Sequence, residues 1–212
     1  MKIKYFGHSC FLVQGTRSVV TDPFSDIGYE MERVKADFCL ISHGHFDHNC
    51  VEKVSGAKVF YGDIAAGEGT DIVLERISTF HDNKKGALRG SNFVCKFTVD
   101  GVRFCHLGDI GEDFSKETAD RIGECDVLFL PVGGNYTIDR VEAKKYADAI
   151  APSLIVPMHF KTRRSRIDID GLDRFKSLYK SIINCFNEFC FDKETLSAIK
   201  KRTILLFDTD KF

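Results

Sequence analysis

Short apolar runs broken by turn residues fill the first half of the chain. Ile3–Phe6, Cys10–Gln14, Ser18–Thr21, Phe38–Ile41, Lys58–Tyr61, Ile72–Phe80, Asn92–Val99 and Val102–His106 each read as a strand. Gln14-Gly15-Thr16 marks a turn, and Asp100-Gly101 lies between two strand-like runs as a hairpin dipeptide. Beyond residue 110 the pattern alternates between helix and strand. Ser115 opens a short helix with Lys116-Glu117-Thr118. Asp139-Arg140-Val141-Glu142 has capping-box spacing before Ala143–Ile150, with Asp in place of Ser or Thr. Val127–Val132, Leu154–Val156 and Thr203–Phe207 read as strands, whereas Leu172–Ile183 carries helical periodicity. Strands first, then alternating helices and strands without a Pro/Gly/Ser linker, predict a layered α/β fold with residues 1–212 as one domain.

Composition narrows the class without naming it. With 43% hydrophobic and 29% charged residues the chain has ample core material. A formal net charge of -1 supplies no overall field for nucleic acid or an anionic membrane. No apolar stretch approaches the ~20 residues that span a bilayer, and Met1-Lys2-Ile3-Lys4-Tyr5-Phe6 reads as a first strand rather than a signal peptide. The 8 cysteines form no CxxC pair, and Cys10, Cys39, Cys95 and Cys105 lie in or beside apolar strands as small hydrophobes. Cys185 and Cys190 fit that description least well. These features predict a cytoplasmic protein with reduced thiols.

Chemistry concentrates where the strand Phe38–Ile41 ends. His43-Gly44-His45-Phe46-Asp47-His48 puts three imidazoles and a carboxylate in one loop. Extended alternation points His43 and His45 the same way, while Asp47 and His48 face a second point beyond the bend. That pattern suits two adjacent divalent ions, because imidazole nitrogen and carboxylate oxygen bind zinc and its neighbours at ~2.0–2.2 Å. Further donors close other strand-like runs: His81 after Ile72–Phe80, Asp109 in His106-Leu107-Gly108-Asp109, and His159 after Pro157-Met158. Loops beyond strand ends are where α/β folds place their sites.

In order, His43-x-His45-x-Asp47-His48, His81, Gly108-Asp109 and His159 resemble the metal-binding signature of the metallo-β-lactamase superfamily. Gly7-His8-Ser9, Thr21-Asp22-Pro23-Phe24, Arg89-Gly90-x-Asn92, Pro131-Val132-Gly133-Gly134 and Pro157-Met158-His159 extend the likeness to small hydrolases grouped near L-ascorbate-6-phosphate lactonase. The resemblance implies a four-layer αβ/βα sandwich. It implies one metal on His43, His45 and His81, a second on Asp47, His48 and His159, and Asp109 bridging both. Asp22 resembles the aspartate that orients a ligating imidazole. His8 is expected to face the site, and His106 to be structural or to support a ligand.

Two such ions, with zinc the first choice and Mn2+ or Fe2+ compatible, make hydroxide available at neutral pH, and Asp47 is placed to accept the nucleophile's proton. Arg89 and Lys161, with Arg163, Arg164 and Arg166 nearby, suggest a positive rim for a small anionic substrate, although surface arginines are commonly just solvated. Asn135 and Tyr136 are candidates to donate to a developing oxyanion. The expected activity is hydrolysis of a small anionic ester, lactone or phosphodiester. Two alternatives share the fold: a nuclease or phosphodiesterase on nucleic acid, disfavoured by the charge balance, and an iron-dependent redox enzyme, disfavoured because di-iron relatives carry glutamate where this chain has His45. A homo-oligomer is compatible with the sequence, and a membrane partner is not expected.

Overall fold

A computed structural model describes residues 1–61 and 72–209. The chain runs through β1 (Lys2–Gly7), β2 (Cys10–Gln14), β3 (Ser18–Thr21), β4 (Val34–Lys35), β5 (Phe38–Ile41), β6 (Val54–Ser55), β7 (Lys58–Tyr61), β8 (Leu74–Phe80), β9 (Ser91–Val99) and β10 (Val102–His106). It continues with α1 (Lys116–Ile122), β11 (Val127–Pro131), α2 (Arg140–Ile150), β12 (Leu154–Met158), α3 (Asp173–Lys176), β13 (Ile182–Cys185), β14 (Glu188–Cys190), α4 (Lys193–Ala198) and β15 (Thr203–Phe207). Most strand limits agree with the apolar runs of the sequence. The Asp100-Gly101 hairpin forms with both residues at positive φ, 48° and 75°, and pairs Val99 with Val102.

Two mixed sheets result. The first has the order β14-β1-β2-β3-β5-β7 and the second β13-β15-β12-β11-β10-β9-β8, with β4 and β6 as a separate short pair. Within the second sheet β8, β9 and β10 form an antiparallel meander, and β10, β11, β12, β15 and β13 run parallel. Its parallel strands β11, β12 and β15 are buried along their whole length, which explains their unbroken apolar sequences. Crossovers α1 and α2 link β10, β11 and β12; α2 packs on β11 and α1 lies against β8.

The sheets face each other across an aromatic core. Phe11 of β2 lies 4.4 Å from Phe129 of β11, ring centre to ring centre, and 4.7 Å from Tyr5 of β1, which in turn meets Phe207 of β15 at 5.7 Å. With α1 and α2 outside the second sheet, this is the αβ/βα sandwich expected from the sequence.

One expected element fails. Leu172–Ile183 is not a single helix: α3 covers Asp173–Lys176, and Ile182–Cys185 becomes β13, parallel to β15. The helical spacing is real as far as Phe175 and Tyr179, whose rings meet at 5.2 Å. Beyond them the edge of β15 takes the chain as a strand, with Ile204 N donating to Ser181 O at 3.0 Å. The half-buried Ile182 and Ile183 pack on the core from that edge, as β-branched side chains favour.

Candidate metal centre

The loops leaving β1, β3, β5, β8, β10 and β12 meet at one lip of the sandwich. They bring together His8, Asp22, the 43–48 loop, His81, Asp109 and His159. His8, Asp22 and His159 all adopt positive φ, 52°, 38° and 51°, a conformation that ordinary residues hold only where surrounding contacts enforce it. The backbone supplies such contacts: His159 N donates to His8 O at 3.0 Å, joining the two sheets, and Asp22 N donates to Leu40 O at 2.9 Å.

Two sets of donors emerge. Ligand atoms of His43, His45 and His81 lie within 4.8 Å of one another, as do those of His8, Asp47, His48 and His159. Between them stands Asp109, whose Oδ2 is 3.1 Å from His159 Nε2, 3.2 Å from His48 Nε2, 3.4 Å from His81 Nε2 and 3.9 Å from His43 Nε2. The structure thus gathers every residue that the sequence nominated as a ligand. It also places His8 among them, with Nε2 3.2 Å from Asp47 Oδ2.

Supporting hydrogen bonds fix these side chains. Asp22 Oδ2 pairs with His48 Nδ1 at 2.9 Å and accepts from Ser42 Oγ at 2.6 Å, while Oδ1 accepts from Ser42 N at 2.7 Å. Ser42 Oγ in turn lies 2.9 Å from His43 Nδ1. One carboxylate therefore steadies two imidazoles and leaves their Nε2 atoms facing the centre. Asn92, fully buried in β9, accepts from Asp109 N at 2.8 Å and donates to Leu107 O at 2.9 Å and Thr79 Oγ1 at 2.8 Å. Gly108, at φ 55°, passes so close to Asn92 and Ser42 that a Cβ would collide with both. His106 is structural, its Nε2 on Ser9 O at 2.9 Å and its Nδ1 accepting from Gly108 N.

The donor set fits divalent cations. His43 Nε2 and Asp109 Oδ1 are buried without a hydrogen-bond partner among the described residues, an arrangement expensive for polar atoms unless a cation satisfies them. Burial, aided by His48, lowers the His43 pKa to about 3, and burial with His159 lowers that of His8 to about 4, so both rings are neutral and offer lone pairs. Burial opposes charge on Asp22 as well, but its bond to His48 and the surrounding imidazoles bring its pKa down to about 2. For His48 the charges of Asp109 and Asp47 overcome burial and raise the pKa well above its usual value. The Asp109 and Asp47 carboxylates thus favour positive charge beside His48.

A cavity of about 640 Å³ opens over the centre, lined by His45, Asp47, His81, Asp109 and His159 below and by Asp26, Ile27, Phe46, Arg89, Tyr136, Arg166, Ile167 and Asp168 around the sides. The substrate candidates divide. Arg89 and Tyr136 line the cavity, the guanidinium 5.3 Å from the ring centre. Asn135 and Lys161 do not: Asn135 Nδ2 donates to Asp168 O and Lys161 Nζ to Ile167 O, each at 2.7 Å. Both brace the loop that presents Arg166, which the sequence offered either as part of a positive rim or as solvated surface charge. Asp82, a residue the sequence did not single out, accepts from Lys84 N, Gly86 N, Leu88 N and Arg89 N and so shapes the loop carrying Arg89.

Donors of this kind at the lip of two facing sheets define a metallohydrolase-type centre. Comparison then gives the family: residues 2–159 match the β-lactamase superfamily domain, and the chain belongs to that superfamily. It is 29% identical over 209 residues to a UPF0173 metal-dependent hydrolase of Thermoplasma acidophilum, covering 84% of this chain and 90% of that one. A protein of the same designation from Nanoarchaeum equitans is 30% identical over 190 residues, covering 76% and 85%. The crystal structure of a candidate zinc-dependent hydrolase of the metallo-β-lactamase superfamily from Thermotoga maritima superposes with a TM-score of 0.78 at 33% identity, covering 98% of this chain and 99% of that one. The protein is an enzyme of the metal-dependent hydrolase class.

Proposed function

We propose that this enzyme uses a dinuclear centre, with zinc the ion best matched to its donors, to hydrolyse a small anionic ester, lactone or phosphodiester. The observation that carries the reading is the pair of donor sets flanking the Asp109 carboxylate. His43, His45 and His81 would hold one ion, Asp47, His48 and His159 the other, and Asp109 would touch both. When bound, such ions acidify water and polarise the carbonyl or phosphoryl oxygen under attack.

The chain's own groups do the rest. Asp47 Oδ2, half-buried at the cavity floor and 3.2 Å from His8 Nε2, receives the proton of the attacking water, and His8 keeps that carboxylate aimed. Arg89, on the cavity wall, attracts and orients the anionic group of the substrate. Asp22 and Ser42 hold the imidazoles of His48 and His43 against rotation.

The decisive experiment combines metal analysis with turnover of ester, lactone and phosphodiester reporters, before and after chelation. The expected result is about two ions per chain and turnover that chelator abolishes and Zn2+ or Mn2+ restores. Turnover indifferent to chelation would rule out the mechanism. No helix among the described residues is long and apolar enough to cross a membrane. The described cysteines are all free.

A further inference from the structure

The rim of the cavity is chemically uneven. Phe46, between two ligand positions of the 43–48 loop, is 62% exposed yet lines the cavity, facing a wall that includes Ile27 and Ile167. Its place on the cavity lining makes this ring an apolar contact open to whatever enters the cavity. The charges are equally informative. Arg166 is paired with Asp26 at 3.5 Å, whereas Arg89 has no carboxylate partner among the described residues and meets only the face of Tyr136. A cation over an aromatic face keeps most of its charge for another anion. Asp168, on the same rim, repels a second negative group.

Resting on the hydrolase reading above, we infer that the substrate is an amphiphilic monoanion: one anionic group bound by Arg89 and an apolar arm lying against Phe46, Ile27 and Ile167. Multiply charged sugar phosphates are then poor substrates, since they offer Phe46 no apolar group to cover and bring surplus charge to Asp168.

The test uses the metal-loaded enzyme and two reporter series. The first is 4-nitrophenyl phosphodiesters whose second alkyl group grows from methyl to octyl. The second is 4-nitrophenyl carboxylic esters with or without a terminal carboxylate on the acyl chain. In the first, kcat/KM is expected to rise about fourfold for each methylene that becomes buried, and Phe46→Ser to flatten that slope. In the second, the carboxylate-bearing ester is expected to be preferred, with the preference lost in Arg89→Gln and partly regained in Arg89→Lys. Turnover of the reporters with no dependence on chain length or on the carboxylate would overturn this inference and leave the hydrolase reading standing. Absence of turnover on every reporter with both ions bound would remove the hydrolase reading and this inference together.

Discussion

At the scale of single residues, the centre depends on side chains that bind no ion themselves. Asn92 is one: its amide satisfies Asp109 N, Leu107 O and Thr79 Oγ1 inside β9. Asn92→Ala takes this partner from Asp109 N and Leu107 O, while Thr79 Oγ1 keeps its bond to the residue-92 carbonyl, and is expected to cost about 1–3 kcal/mol in urea unfolding. It also frees Asp109 and weakens metal retention, which metal titration of the same variant reads; unchanged retention would show that Asp109 needs no such anchor. Asp22→Ala should lower metal affinity about 10- to 100-fold through its contact with His48 and, by way of Ser42, with His43, with the fold intact by circular dichroism. A third residue tests electrostatics away from the site. Burial pushes the Asp126 carboxyl up, but Arg103, bonded at 2.8 Å and 3.2 Å, outweighs burial and lowers the pKa below its ordinary value. A depressed carboxylate stabilises above its unfolded pKa of about 3.9, and loses that contribution as pH falls through the folded value. Asp126→Asn should therefore destabilise at pH 7, by less than about 1 kcal/mol for this partly exposed pair. The gap to wild type should close on acidification, and a gap constant down to pH 2.5 would contradict the assignment.

At the scale of elements, legibility followed how local the determining forces are. Strands such as β2, β3, β5 and β15 are set by their own apolar runs and neighbouring turns, so their limits could be read directly. α2 was also legible, though its capping box is half realised. Asp139 accepts from Val141 N and Glu142 N, while Glu142 turns to Phe114 N and Lys145 instead of reaching back. Asp139→Ala is expected to cost about 1 kcal/mol, read from the urea midpoint; Glu142→Gln should alter that cap little, and an equal loss from both would mean the reciprocal bond matters after all. β13 and β14 were not legible. Each is short and only partly buried, and each exists because a partner strand 20 or more residues away offers a free edge: β15 for Ile182–Cys185, β1 for Glu188–Cys190. Local periodicity carries no trace of that, so the pattern through Leu172–Ile183 read as helix.

At the scale of the whole molecule, the gathering of His43, His45, His48, His81, Asp109 and His159 was legible because each closes a strand-like run or lies just beyond one. The cavity wall was legible only in part: Arg89 and Tyr136 line it as the sequence suggested, whereas Ile27 sits on a loop joined to that of Arg166 only in space, through Arg166 N donating to Ile27 O at 2.7 Å. The topology gives the proposed ions a second role. His43, His45, Asp47 and His48 leave the first sheet, whereas His81, Asp109 and His159 leave the second. Each ion would therefore draw ligands from both sheets and clamp the sandwich at that lip. Unfolding must release the clamp, so stability is linked to free metal: an ion at a hundredfold excess over its Kd adds about 2.7 kcal/mol, or about 5–10 °C in a chain of this length. Thermal unfolding should shift down by at least that interval in chelator and recover on adding Zn2+ or Mn2+. The shift should disappear in a variant lacking ligands from the second sheet alone, such as His81→Ala combined with His159→Ala, even though the 43–48 loop is intact. If that variant kept the full metal-dependent increment, the ions would belong to the first sheet only, and the clamp would not exist.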